Sequence, residues 1–449
     1  MHTCSNTTLA LDRRSFLQRT AAGFGWLAFA ALHARATGPL APKPQHFKAR
    51  ARRVIFLYMQ GGPSHLDTFD WKPELARIGK GGPHKPLGSV SKFEPRGKSG
   101  LMISDVFPQI ATHADELCVL RGMQTSTASH QQATVALHTG SENFVRPSLG
   151  AWVTYGLGTM AEDLPGFVTI DPMHDQGGAM NYGSAFLPAA YQGTRLSGNG
   201  SGIPNVANRT LLAGDQRRQL DFIQRLNRGL LAKQPGQPEL EGAIESLELA
   251  HRMQTSVPGV LDISGEPEAV QRLYGIGGGA TDRFGSQCLL ARRLAEKGVR
   301  FIQITHNGWD HHNNLRSGLS GRGTEIDLPI AGLLTDLKQR GMLDETLILW
   351  GGEFGRSPTD DKGDGNGRGH HNHGYTMWMA GGGVRGGFAH GATDELGDQA
   401  VEGKMDTHDL HATLLHLLGL DHEKLTYFYA GRDFRLTNVS GKVAKESVA

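Results

Sequence analysis

Val54-Ile55-Phe56-Leu57-Tyr58-Met59, closed by Gln60-Gly61-Gly62-Pro63, decides how the rest of the chain is read. Six consecutive apolar or aromatic residues leave no polar face. The segment is therefore expected as a strand covered on both sides, the condition of a parallel sheet between helices. Leu117-Cys118-Val119-Leu120 and Phe167-Val168-Thr169-Ile170 read as a second and a third strand, each running into a polar loop. Beyond Pro267 the alternation is plainer. A helix over about 283–297 leads into a strand over 299–304. A helix over about 324–340, with Ile326, Ile330, Leu333, Leu334 and Leu337 on one face, leads into a strand over 346–350. Residues 406–420 form a capped amphipathic helix. Helix–strand repetition of this kind predicts an α/β fold: a doubly wound, mainly parallel sheet flanked by helices.

Composition agrees with a globular domain. The 449 residues are 38% hydrophobic and 20% charged, which excludes a wholly disordered chain. Glycine is the outlier at 61 residues, about 14% and roughly twice the usual share. With no period of three, these glycines imply many tight loops. Three cysteines and no Cys-x-x-Cys pair exclude a disulfide scaffold and a thiolate zinc site. A formal charge of +2 makes no case for nucleic acid as a partner.

Asp12-Arg13-Arg14-Ser15-Phe16-Leu17 is a twin-arginine pattern, followed by a 12-residue apolar run from Ala21 to Leu32 and the small-x-small site Ala34-Arg35-Ala36. The run is too short to span a bilayer, which takes ~20 residues, so no stable membrane span is expected. Residues 1–36 read as a signal peptide addressed to the twin-arginine export machinery, placing the protein in the periplasm or outside the cell. Cleavage leaves a near-neutral chain of 42 basic and 43 acidic residues, with Cys118 and Cys288 as two buried thiols. Residues 37–53, rich in Pro and Arg, read as a linker, and 54–440 as a single domain. The segment 173–282 interrupts the alternation: a Gly/Asn/Pro-rich stretch precedes helical patterns over about 215–232 and 238–254. It reads as an insertion or cap over the site, or equally as a plain structural excursion.

Two loops gather ligand-type side chains at strand ends, where open α/β sheets place their sites. The first is His306-Asn307-Gly308-Trp309-Asp310-His311-His312-Asn313. The second opens with Gly351-Gly352-Glu353-Phe354-Gly355-Arg356 and runs to His370-His371-Asn372-His373. Carboxylates and imidazoles from neighbouring strands can share a divalent cation, with zinc, manganese, calcium, magnesium or iron as candidates. Asp310, His312 and Glu353 head the ligand set. Thr125-Ser126-Thr127-Ala128-Ser129-His130-Gln131 opens a helix whose N-terminus suits an oxyanion, or serves as an ordinary cap. Gly61-Gly62-Pro63-Ser64-His65-Leu66-Asp67 adds Asp67 as a further ligand candidate. The Gly-x-Gly character here and at Gly381-Gly382-Gly383 is too weak to argue for a nucleotide.

These segments, together with Asp406-Thr407-His408-Asp409-Leu410-His411, resemble in order and spacing the exported bacterial family known as domain of unknown function 1501, over nearly all of the chain after the signal. That family is grouped with alkaline phosphatases and sulfatases, which hydrolyse phosphate or sulfate esters on a doubly wound sheet with one or two metal ions. The resemblance implies metal positions at Asp310 and His312, with Glu353 where the superfamily has its Asp-His-Gly loop and His371 as the later histidine. It departs from the superfamily in three places, the first being that glycines sit at the end of the first strand and its metal aspartate is displaced to Asp67 several residues later. Cys118-Val119-Leu120-Arg121 is not a sulfatase Cys-x-Pro-x-Arg device, and the nucleophile position falls on His130, with Ser129 beside it. Arg356 is the expected clamp on an ester oxygen. The reading is an exported metal-dependent hydrolase of phosphate or sulfate esters, acting on a small-molecule or glycan ester. The rival is a metal- or glycan-binding protein that kept the fold and lost the nucleophile. An iron-bearing oxidoreductase partner is a third reading, for which the sequence shows no electron carrier.

Overall fold

The computed structural model describes residues 39–78, 85–197, 213–234, 237–363 and 365–449; residues 1–36, expected as a signal peptide, lie outside them. The quoted run is strand β1, Arg53–Met59, buried at all seven positions. The other strands that matter here are β2 Leu117–Met123, β3 Phe167–Ile170, β4 Thr194–Leu196, β5 Phe301–His306, β6 Thr346–Gly351, β7 Gly355–Asp360, β8 Arg368–His371, β9 Tyr375–Ala380 and β10 Phe388–His390. Eight of them form one sheet in the order β10-β2-β9-β6-β1-β5-β3-β4, while β7 and β8 make a separate hairpin.

Strand β1 runs parallel to both neighbours, β5 and β6. Strands β3, β4 and β10 keep the same sense, and only β9 runs against it. The sheet is therefore mainly parallel. Its centre ends level, because Tyr58 pairs with Thr305 on one side and Gly351 on the other. The loops that start at Gln60, Asn307 and Gly352 thus leave the same edge.

The longer helices are α1 His130–Thr139, α2 Leu149–Leu157, α3 Ala213–Lys233, α4 Pro238–Leu261, α5 Asp282–Glu296, α6 Leu315–Gln339 and α7 Thr407–Leu417. Helix α6 buries Ile326, Ile330, Leu333, Leu334 and Leu337 as the periodicity predicts, but it starts nine residues earlier than the expected 324. Gly318, Gly321 and Gly323 hide that first part, since glycine weakens a helix by about 1 kcal/mol relative to alanine. Packing explains two of them: a Cβ at Gly318 would stand 2.2 Å from the His311 ring, and one at Gly323 would stand 2.6 Å from Val106. Asp406 caps α7 by accepting from the backbone of His408 and Asp409, closing a capping box with Asp409.

Of residues 37–53, expected as a linker, 39–52 are docked: Leu40 and Ala51 are buried, and Lys43, His46 and Arg50 donate backbone bonds to Leu157, Gly419 and Leu417. The interrupting segment divides. Met173 and Gln176 touch Asn307 and Gln60 at the edge where β1 and β5 end. Helices α3 and α4 instead pair with each other, and α4 ends where Gly259 and Val260 accept from Arg293, close to Arg53 at the start of β1. Only the first part therefore borders the candidate site. Cys118 and Cys288 are buried free thiols, as expected, and burial pushes the Cys118 thiol up to about 12. No helix among the described residues is long and apolar enough to cross a membrane.

Candidate metal centre

Asp310 is fixed by its neighbour. Trp309 is fully buried, its indole N–H donates to His306 Nδ1 at 3.1 Å, and its ring packs edge-on to Trp350 of β6. The loop after β1 presses on the same segment. Gly61 adopts φ +115°, and a Cβ there would lie 2.7 Å from the Asp310 nitrogen, so glycine is required for this approach. The carboxylate of Asp310 is then held by Arg356, whose Nη2 lies 2.6 Å from Oδ1.

Three imidazoles surround that carboxylate. His370, on β8, places Nε2 3.1 Å from Asp310 Oδ1; His312 places Nε2 3.0 Å from the same oxygen; His130, opening α1, places Nε2 3.3 Å from Oδ2. Ligand atoms of His130, Asp310 and His370 all lie within 4.8 Å of one another. Every ring has its other nitrogen engaged. Nδ1 of His130 meets Glu353 Oε1 at 2.5 Å, Nδ1 of His312 meets Asp361 Oδ2 at 2.8 Å, and Nδ1 of His370 meets the Ala128 carbonyl at 2.9 Å. A carbonyl or carboxylate accepts only, so in each ring Nδ1 carries a hydrogen, and a neutral ring then presents its Nε2 lone pair inward.

This arrangement is the one a metal ion requires. The Nε2 atoms of His312 and His370 face each other at 2.9 Å, with Asp310 Oδ1 beside both. Two lone pairs and a carboxylate oxygen at that spacing repel unless a proton or a cation lies among them. His130 Nε2 is buried and faces the Asp310 carboxylate at 3.3 Å. Carboxylate or carbonyl partners on the outer nitrogen are also what orients metal-ligating histidines. The residues present fit a divalent cation. Exposure rises outward, from side chains 0% exposed at Glu353 and 14% at His130 to 25% at His370, 31% at His312 and 42% at Asp310, so the cluster opens to solvent.

Electrostatics follow the geometry. Partial burial opposes the charge on Asp310, but bonds from His130 and His370 and the Arg356 guanidinium outweigh it and hold the carboxyl well below its ordinary range. Burial likewise disfavours the His130 cation, yet bonds to Asp310 and Glu353 carry its imidazole up to about 9.

The other sequence candidates stand as follows. Glu353 is fully buried and reaches the cluster only through His130; it also accepts from the Gly61 N–H at 3.0 Å and from the Tyr58 hydroxyl at 3.0 Å. His371 turns away and pairs with Asp398, so the structure brings in the adjacent His370 instead. Asp67 is not near the cluster's contacts. It is completely buried against Arg368 at 2.8 Å and accepts from Ser64, Ser89 and Val90, which leaves no lone pair for a metal. Arg356 is buried and committed to the carbonyls of Gly61, Gly62 and Arg368 as well as to Asp310, so it orients a carboxylate in place of the expected ester oxygen. Ser129 is exposed at the N-cap of α1 and makes no capping bond.

The sequence pointed to the His370-His371 pair, and the fold decides between them. In the hairpin His370 lies opposite Arg356 and His371 opposite Gly355, and strand alternation sends the two rings to opposite faces. Asp361 and Tyr58 gave no signal of their own.

The chain belongs to the family described as protein of unknown function DUF1501, which matches residues 51–448. No curated protein matches the sequence. Similar solved structures include the lipoteichoic acid synthase LtaP of Listeria monocytogenes, 8% identical with a TM-score of 0.41 over 90% of this chain and 80% of that one. The PsFucS1 sulfatase of Pseudoalteromonas sp. is 15% identical with a TM-score of 0.36, covering 83% and 69%. The alkaline phosphatase of the Antarctic bacterium TAB5 is 12% identical with a TM-score of 0.34, covering 83% and 99%. Likenesses of this degree leave the chemistry to the residues themselves.

Proposed function

We propose that the chain is a metal-dependent hydrolase of phosphate or sulfate esters, exported through the twin-arginine route to the periplasm or beyond. The observation that carries this reading is the convergence of His130, His312 and His370 on Asp310, each ring already hydrogen-bonded through Nδ1, at the solvent-open edge of the sheet. These four side chains would hold the ion. An imidazole-rich set favours zinc, or another first-row metal, over calcium or magnesium. When bound, the ion supplies Lewis-acid polarisation of an ester oxygen and a lowered pKa for a coordinated hydroxyl or water.

The remaining work falls to the chain. Glu353, held by Tyr58 and the Gly61 amide, fixes the plane and tautomer of His130. Arg356 fixes Asp310. The first turn of α1 has no side-chain cap, so its N–H groups remain available to an ester oxyanion, which the helix dipole favours. Ser129, exposed on that turn, is the hydroxyl we assign to attack. The test is elemental analysis of purified protein followed by aryl phosphate and aryl sulfate hydrolysis with and without chelator. Chelator-sensitive turnover that returns with added metal supports the reading; full activity in metal-free protein rejects it.

A second reading, metal-dependent binding without turnover, is favoured by one observation: the groups that converge on Asp310 are ligands and orienting partners, with no hydroxyl among them. Ser129→Ala separates the two, since an enzyme loses turnover while a binding protein keeps its affinity.

A further inference from the structure

Arg146 and Arg432 share one aromatic ring. The guanidinium carbon of Arg146 lies 4.4 Å from the Phe434 centroid and that of Arg432 lies 3.9 Å from it; Arg146 also lies 5.9 Å from Phe186. Ring contacts are weak at exposed sites and cancel no charge. Among the described residues neither guanidinium makes a hydrogen bond or an ion pair. Asp433, between Arg432 and Phe434 on the Arg432–Phe434 strand, alternates to the other face. Arg435 is a third cation at the same place; it donates to the Asn438 carbonyl and pairs with Glu423 at 3.3 Å. Burial and the neighbouring Arg432 charge both press the Arg146 pKa down, as uncompensated like charges do.

The three arginines, with Trp152, Phe186 and Phe434, line a cavity of about 130 Å³ beside Thr139 and Gly140, at the C-terminal end of α1. His130 stands at the other end of that helix, and ten residues span about 15 Å. The loop after α1 joins the two places. Glu142 and Asn143 touch Ser126 and Gln132, next to the metal centre, and Arg146 follows three residues later.

We propose that this cavity binds one acidic unit of an oligosaccharide, its sulfate or carboxylate between Arg146 and Arg432 and its ring against Phe186 and Phe434. Guanidinium forks match planar or tetrahedral oxyanions, and aromatic walls accept the apolar face of a sugar. The cavity takes the anionic group and part of one ring, leaving the rest of the sugar outside it, and the helix-length separation from Asp310 selects a chain of several units over a free monosaccharide. The inference rests on the ester-hydrolase reading only for its purpose, because binding needs no turnover. An inactive protein that binds would sink that reading alone, and an active one that does not bind would sink this inference alone.

The test is calorimetric titration of the metal-loaded full chain with heparin hexasaccharide, hexagalacturonate, neutral maltohexaose and sodium sulfate. One or both acidic hexasaccharides should bind, more weakly as salt rises, with maltohexaose and free sulfate at least tenfold weaker. Which of the two acids binds separates sulfate from carboxylate recognition. Arg146→Gln with Arg432→Gln should weaken that binding at least tenfold with metal content unchanged. Arginine side-chain NMR on the unmodified protein gives a readout that survives an unstable variant: the Nε–H signals of Arg146 and Arg432 should shift on titration. Absence of binding by both acids, unmoved arginine signals, free sulfate binding as tightly as either, or a double variant that binds like the wild type would each overturn the proposal.

Discussion

The Nε2 atoms of His312 and His370 stand 2.9 Å apart, from residues 58 positions apart in the chain, and neither ring can turn without giving up a bond. His312 would lose Asp361 and His370 would lose the Ala128 carbonyl. On the proposed function, the pair is held ready for an ion. The account therefore distinguishes adjacent residues. His370→Ala should lower zinc affinity by at least about 100-fold, while His371→Ala, whose ring faces Asp398, should leave it within about threefold. Competition with a chromogenic chelator measures both.

Glu353→Gln keeps the size of the side chain and removes the charge that faces His130 Nδ1. Outer partners of metal-bound histidines are worth about 10–100-fold in affinity or activity, and a loss in that range is expected here. An unchanged metal affinity with unchanged turnover would return Glu353 to a purely structural role.

Asp67→Asn should destabilise the fold by about 3–5 kcal/mol without emptying the metal centre, because it strands Arg368 in the interior. Burial alone would raise the Asp67 pKa, but Arg368 and the bonds from Ser64 and Val90 hold it below its ordinary value. A depressed folded pKa contributes stability that is fully present above the unfolded value of about 3.9 and is lost as pH falls through the folded one. Urea unfolding from pH 7 down to pH 3 should therefore show an acid-dependent loss in the wild type that is smaller in the variant. Loss of bound metal in folded Asp67→Asn would reinstate it as a ligand.

Ser129→Ala should lower turnover by at least about 100-fold if its hydroxyl attacks the ester. Its side chain makes no capping bond, so stability should change by no more than about 0.5 kcal/mol. Retained turnover would point to water as the nucleophile.

The sheet was legible because β1 and β6 carry apolar runs that suit a doubly covered strand and because a helical pattern leads into β5, and Asp310 and His312 drew notice because they follow that strand. What stayed hidden depends on partners far along the chain. Asp67 and Arg368 are 301 positions apart, and nothing local to Asp67 shows that its lone pairs are taken. Glu353 and His130, 223 positions apart, look alike as ligands until the fold places one behind the other. The choice between His370 and His371 needed the pairing with Arg356, which composition does not contain. The glycines that open α6 resist a helical reading until His311 and Val106 are seen against them.

Anomalous diffraction from crystals of the zinc-loaded protein tests the central claim most directly. The account predicts a peak at about 2.0–2.2 Å from Asp310 and from Nε2 of His130, His312 and His370, with each Nδ1 still on its present partner. A peak that does not bind both Asp310 and His370, or none at this edge of the sheet at full zinc occupancy elsewhere, would contradict it.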